Sequence, residues 1–161
     1  MVTVAVASIL LATALPSVRT LIQNERVSTQ LNTLVLSLNY ARSEAIKRDL
    51  PTGVVVCPSA DQLSCSGTSA WNQGWIVRAR PAEPPLQGAL PLAGANTLIE
   101  ASGLTSITFL PNGLVSAAAA FTLCDSRGAA HARDIEVSAS GRIVSSPTQG
   151  RSLAGAALSC P

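Results

Sequence analysis

Histidine, aromatic residues and charge are all scarce in this chain, and each scarcity sets a limit. A single histidine, His131, leaves no Ser/His/Asp constellation and no His-rich metal site. The four cysteines include no C-x-x-C pair, which argues against zinc. No glycine-rich phosphate loop is present either. The expectation is therefore no enzyme, no metal and no cofactor. Asp125, Asp134 and Glu136 lie near or on predicted strands and are read as surface charge. Aromatics make up 3% of the residues, so the core must rest on Val, Leu, Ile and Ala. Charged residues reach only 12% and the formal net charge is +2, too mild by itself to predict a nucleic-acid or anionic-membrane partner.

What is present is concentrated at the N-terminus. Residues 1–18 are apolar and uncharged. As a helix they would span about 27 Å, slightly less than the ~30 Å of a bilayer core. Pro16 lacks a backbone donor and is expected to kink this helix. Two other readings are a cleaved signal segment ending at Ala12-Thr13-Ala14 and an ordinary buried helix. The first lacks a basic region ahead of the apolar run, and the second would show one apolar face rather than apolar character all round.

The helical pattern continues past residue 18. Residues 21–48 contain neither glycine nor proline. Val27, Leu31, Leu34, Leu38, Ala41 and Ala45 recur at spacings of three and four and form a narrow stripe that should dock on a sheet. Arg26, Gln30, Thr33, Ser37 and Glu44 fall on other faces. Glu44 and Arg48 form an i,i+4 pair, and Leu50-Pro51 ends the helix.

Beyond Pro51 the period becomes extended. Strands are expected at 52–57, 74–80, 97–101, 106–110, 119–124, 134–138 and 142–145, with turns at Pro111-Asn112-Gly113 and Ser138-Ala139-Ser140-Gly141. Residues 81–94, rich in Pro, Gly and Ala, read as a surface loop. Trp71 and Trp75 read as core or loop anchors rather than ligand-stacking groups. The organisation is thus 1–18 as the membrane half of one helix, 19–49 as its amphipathic half, and 50–161 as a β-rich head. An even number of cysteines behind an export-type segment points to two disulfides. Of three possible pairings, a local Cys57–Cys65 bridge is favoured, leaving Cys124 with Cys160.

Several segments, in order along the chain, resemble the FimT/GspH minor pilins. They are the apolar N-terminus through Leu15-Pro16-Ser17, the helix end Leu38-Asn39-Tyr40-Ala41-Arg42-Ser43-Glu44-Ala45-Ile46-Lys47-Arg48, and Val56-Cys57-Pro58-Ser59. They continue with Trp71-Asn72-Gln73-Gly74-Trp75, Phe109-Leu110-Pro111-Asn112-Gly113, Phe121-Thr122-Leu123-Cys124 and Val137-Ser138-Ala139-Ser140-Gly141-Arg142. The resemblance implies a pilin-like α+β fold, with a long N-terminal helix packed on an antiparallel sheet or sandwich. It implies an inner-membrane subunit with a periplasmic head that joins a type IV pilus, at or near its tip, or a type II secretion pseudopilus. Its partners would be major and minor pilins, met through the N-terminal helix.

The chain departs from that pattern twice. Family precursors carry a basic leader, a Gly-Phe cleavage site and Thr-Leu-Ile-Glu-Leu ahead of the residues seen here. The expectation is that the natural polypeptide extends upstream of Met1, where the peptidase site, the methylated residue and the docking glutamate would lie. Members active in DNA uptake share a Gly-Arg-x-Arg element. Here it reads Gly141-Arg142-Ile143-Val144, so double-stranded DNA would meet Arg142, joined by Arg127, Arg133 or Arg151 if these gather on one face.

Overall fold

A computed structural model describes residues 2–161, with side chains described from Val18 onward. Helix α1 (Val2–Arg48) is followed by strands β1 (Val54–Pro58), β2 (Trp75–Arg78), β3 (Gln87–Ala89), β4 (Thr97–Glu100), β5 (Ile107–Phe109), β6 (Ala119–Cys124), β7 (Arg133–Val137) and β8 (Ile143–Ser145). The membrane half expected over 1–18 and the Pro16 kink lie, apart from Val18, outside the described side chains. Among the described residues no helix is long and apolar enough to cross a membrane.

The helix ends where its sequence breaks the pattern. Asp49 takes a left-handed φ of 50° while its N–H still reaches the Ala45 carbonyl at 3.2 Å. Aspartate tolerates that conformation better than a branched residue would. Leu50-Pro51 then turns the chain into β1.

The strands form two antiparallel four-stranded sheets, ordered β3-β2-β1-β5 and β4-β6-β7-β8. Helix α1 rests against strands of both. Val27, Leu31, Leu34, Leu38, Ala41 and Ala45 are all buried. The two alanines let the helix approach closely where a larger side chain would hold it off. Ser37 and Glu44, expected on other faces, are buried as well. A helix touching two sheets covers a wider arc than one stripe. Arg48 Nε donates to Glu44 Oε2 at 2.6 Å, and that bond, working against burial, holds the Glu44 carboxyl below its ordinary range. Trp71 and Trp75 are buried too. Trp71 meets Phe121 of the second sheet edge to face, with ring centroids 4.9 Å apart, and its Nε1 donates to the Leu104 carbonyl at 2.9 Å.

One strand falls inside a segment read as loop. Strand β3 pairs Gln87, Gly88 and Ala89 with Val77, Ile76 and Trp75. It has no β-branched residue and no alternation, so nothing local announces it. Tertiary contacts impose it. The Leu86 N–H donates to Val77 O at 2.7 Å, and Gln62 Nε2 donates to Ala89 O at 2.9 Å.

Two disulfides close the head. Cys57 bonds Cys65 with Cα atoms 5.5 Å apart, and Cys124 bonds Cys160 with Cα atoms 6.0 Å apart. Their sequence separations are 8 and 36. Loop-closure entropy then gives about 2.5 kcal/mol for the first and about 4 kcal/mol for the second. Denaturant titration of Cys57→Ser/Cys65→Ser and Cys124→Ser/Cys160→Ser double variants should reproduce that order. A larger loss from the shorter loop would contradict the entropic account.

Candidate functional site

Three of the segments that resembled one family, the helix end, the turn at Gly113 and the turn at Gly141, meet near the C-terminal end of α1. Arg42 Nε donates to the Gly113 carbonyl at 3.2 Å, and its Nη2 donates to Ser140 O at 3.3 Å. Gly113 closes the turn after β5, its N–H reaching Leu110 O at 2.9 Å. Gly141 closes the hairpin between β7 and β8, its N–H reaching Ser138 O at 2.8 Å. The two turns touch. Gly141 has a φ of +73°, and a Cβ there would stand 2.1 Å from the Gly113 carbonyl oxygen. No other residue type fits that approach. Arg42 therefore ties the helix end to a turn from each sheet, and Gly141 packs directly against the Gly113 carbonyl.

Arg142 follows Gly141 and is exposed; its carbonyl accepts the Ser138 N–H at 2.9 Å, and its guanidinium has no hydrogen bond or ion pair among the described residues. The other arginines do not join it. Arg127 donates from Nε and Nη2 to Asp125 Oδ2 at 2.9 and 2.6 Å, and from Nη1 to Asn24 Oδ1 at 2.7 Å. Burial pulls the Asp125 carboxyl up, but the Arg127 hydrogen bonds outweigh it and hold the group below its ordinary range. Asn24 and Arg42 mark the two contact points along α1, and eighteen residues of helix separate them by about 27 Å. Arg127 and Arg142 thus stand at opposite ends of the head. Arg133 begins β7 opposite Leu123, far from the hairpin, and its Nε is buried. Arg151 donates to Gly155 O at 2.9 Å within the C-terminal segment. These arginines do not gather around Arg142.

The Cys57–Cys65 loop is organised around Asp61. Its carboxylate accepts the backbone N–H groups of Ser64 and Leu63 at 2.9 Å each, with the Ser64 and Ser59 hydroxyls at 2.7 and 2.9 Å. These donors hold the carboxyl well below the usual carboxylate range. Among the described residues no His/Cys/Asp/Glu cluster could hold a metal ion. Asp134, read as surface charge, is in fact 2% exposed.

The side of α1 turned away from the head carries a second apolar set. Val18, Leu21, Ile22, Leu36 and Tyr40 are exposed, Leu36 to 65%. Nine residues make about two and a half turns, which places a side chain on the opposite side of a helix. Leu36 stands nine residues from both Val27 and Ala45, and Ile22 nine from Leu31. Reading the sequence for one stripe missed this outward face. Its signal was apolar residues at positions the buried stripe does not need.

Comparison with known proteins places these features. The profile of a family described as type II transport protein GspH matches residues 30–141. Two crystal forms of the type IV minor pilin FimU from Pseudomonas aeruginosa share the fold, each at 23% identity. The first aligns with a TM-score of 0.63 over 78% of this chain and 91% of FimU. The second aligns at 0.59 over 76% and 92%. No curated protein matches.

The contact between the two turns separates neighbouring residues by role. Gly141→Ala should cost about 2 kcal/mol or more, from the left-handed φ and the carbonyl clash. Arg142→Ala should stay within about 0.5 kcal/mol of the parent. Thermal or denaturant unfolding of both variants checks this, and equal effects would contradict the packing role given to Gly141.

Proposed function

Because the chain belongs to the family of the type II transport protein GspH, we propose that it is a minor pilin of a type IV pilus. It would be incorporated at or near the tip, where it would support assembly. The observation that carries this reading is the outward apolar face of α1. A monomer gains nothing by displaying Leu36 and Tyr40 on the side of the helix opposite its buried stripe, or Val18, Leu21 and Ile22 on the turns ahead of Val27, where residues 18–22 are all exposed. A neighbouring helix does gain from covering them. The likeness to FimU, itself a type IV minor pilin, supports the same architecture.

The mechanism is helix transfer. The apolar residues 1–18 rest in the inner membrane, with the disulfide-closed head in the periplasm. During assembly the helix leaves lipid for a bundle of sister helices. Lipid tails and apolar side chains are similar surroundings in hydrophobic terms, so the step is nearly balanced and a motor can drive it. A second reading, a minor pseudopilin of a type II secretion system, is favoured by the description of the family profile. It uses the same helix and the same mechanism. DNA as a partner has less support, because Arg127 stands at the opposite end of the head from Arg142 and its guanidinium is engaged by Asp125 and Asn24.

Gene deletion tests the assignment. Loss of surface pili and motility supports the pilus, whereas intact pili with failed secretion support the pseudopilus. Unchanged piliation and secretion together would remove both. At residue level, Leu36→Glu should leave the stability of the head within about 0.5 kcal/mol. The same variant should sharply reduce the subunit recovered in sheared filaments. Normal recovery would show that the outward face is not used.

A further inference from the structure

The C-terminal segment crosses the outer face of the second sheet as a strap fixed at both ends. At one end the Ser146 N–H donates to the Asp134 carbonyl at 2.9 Å, and at the other Cys160 is bonded to Cys124. Between these anchors many of the strap's hydrogen bonds are internal, such as Ser152 N–H to Ala156 O at 2.9 Å and Leu158 N–H to Gly150 O at 2.9 Å. It is fastened to the head through the Gly150 N–H, which donates to Ala132 O at 2.8 Å, and its Leu153 N–H lies close enough to the Asp134 carboxyl to favour the charged form. Most of its side chains are exposed.

Beneath the strap lies an acidic pair. Alternate residues of a strand share a face, so Asp134 and Glu136 both point outward from β7 while Arg133, Ile135 and Val137 point the other way. Asp134 is buried, and its carboxyl lies beside Glu136 and Thr122 of β6, its cross-strand partner. We propose that residues 147–159 form a proton-controlled strap, closed over Asp134 when its carboxyl is protonated and loosened when it is ionised.

The surrounding charges leave that pair uncompensated. Strand β6 offers Thr122, and β8 offers Val144 opposite Glu136. The strap's one arginine, Arg151, is turned to Gly155 O. The charge of His131 acts on Asp125, which Arg127 already holds. Burial first, and then the Glu136 charge, raise the Asp134 carboxyl to about 6, against the opposing Thr122 and Leu153 hydrogen bonds. Lifting the strap would return it toward the ordinary range near 4. The closed form therefore holds a proton that the open form releases. Closure is favoured as pH falls and is lost as pH rises through about 6. Between pH 5 and pH 7 that linkage amounts to about a tenfold change in the opening equilibrium.

Hydrogen exchange of the full chain in detergent micelles tests this. After correction for intrinsic rates, amides of residues 150–158 should open about tenfold more at pH 7 than at pH 5, while those of β1 and β2 should not change. Asp134→Asn should remove the difference and keep the strap protected at both pH values. Should that variant fail to fold, Glu136→Gln serves in its place and must shrink the ratio. A wild-type ratio within twofold, or an unchanged ratio in whichever variant folds, would overturn the proposal.

Discussion

A single helix has to satisfy two neighbours at once, and the rest of the structure follows from that constraint. One side of α1 lies across both sheets and buries Val27, Leu31, Leu34, Leu38, Ala41 and Ala45. Each fully buried valine or leucine contributes about 1.5–3 kcal/mol. That face thus joins two sheets that share no strand with each other. The opposite side carries apolar residues the head does not need. The two sets sit nine residues apart, so neither can be moved into the other's role by a small rotation. A helix whose outer side was fully polar would fold the same head but would offer a neighbouring subunit little to hold.

The joint between the turns at the end of α1 shows why several family-like segments, scattered along the sequence, belong together. Arg42 reaches a carbonyl from each of two turns, and Gly141 exists as glycine because the Gly113 carbonyl fills the space of its side chain. Once packing accounts for Gly141, its neighbour Arg142 loses the support of a motif and stands as one exposed cation. Arg127 shows the converse. A cation that counts as a phosphate ligand in sequence is spent on a buried carboxylate and on Asn24, at the far end of the head. Net charge and arginine number could not distinguish these cases, since the distinction lies in which carbonyls and carboxylates the fold brings near.

Much of the architecture was legible beforehand for a physical reason. The helix stripe, the strand β6 and the β7–β8 turn each carry a period or turn chemistry that local sequence alone can express. Strand β3 was not legible, because Gln-Gly-Ala has no strand preference and pairs only where Val77 and Gln62 hold it. Glu44 and Ser37 were misplaced because a stripe predicts contact with one surface, and the helix meets two. Asp134 was misread as surface charge because burial there comes from the tail, more than ten residues later in sequence. Long-range cover of that kind leaves no mark on the covered residue.

The same reasoning sets the two disulfides apart. The Cys57–Cys65 loop would be largely ordered without its bridge, since Asp61 already gathers four donors from three neighbouring residues. The segment ending at Cys160 has no such internal centre. Its short turns and small residues hold it weakly, so the bond to Cys124 limits how far it can travel. A tether of this kind permits local opening without loss of the tail, which suits a cover that must return to one place. Asp134 beneath then decides how often it opens, because a covered carboxyl with no cation beside it favours its protonated form.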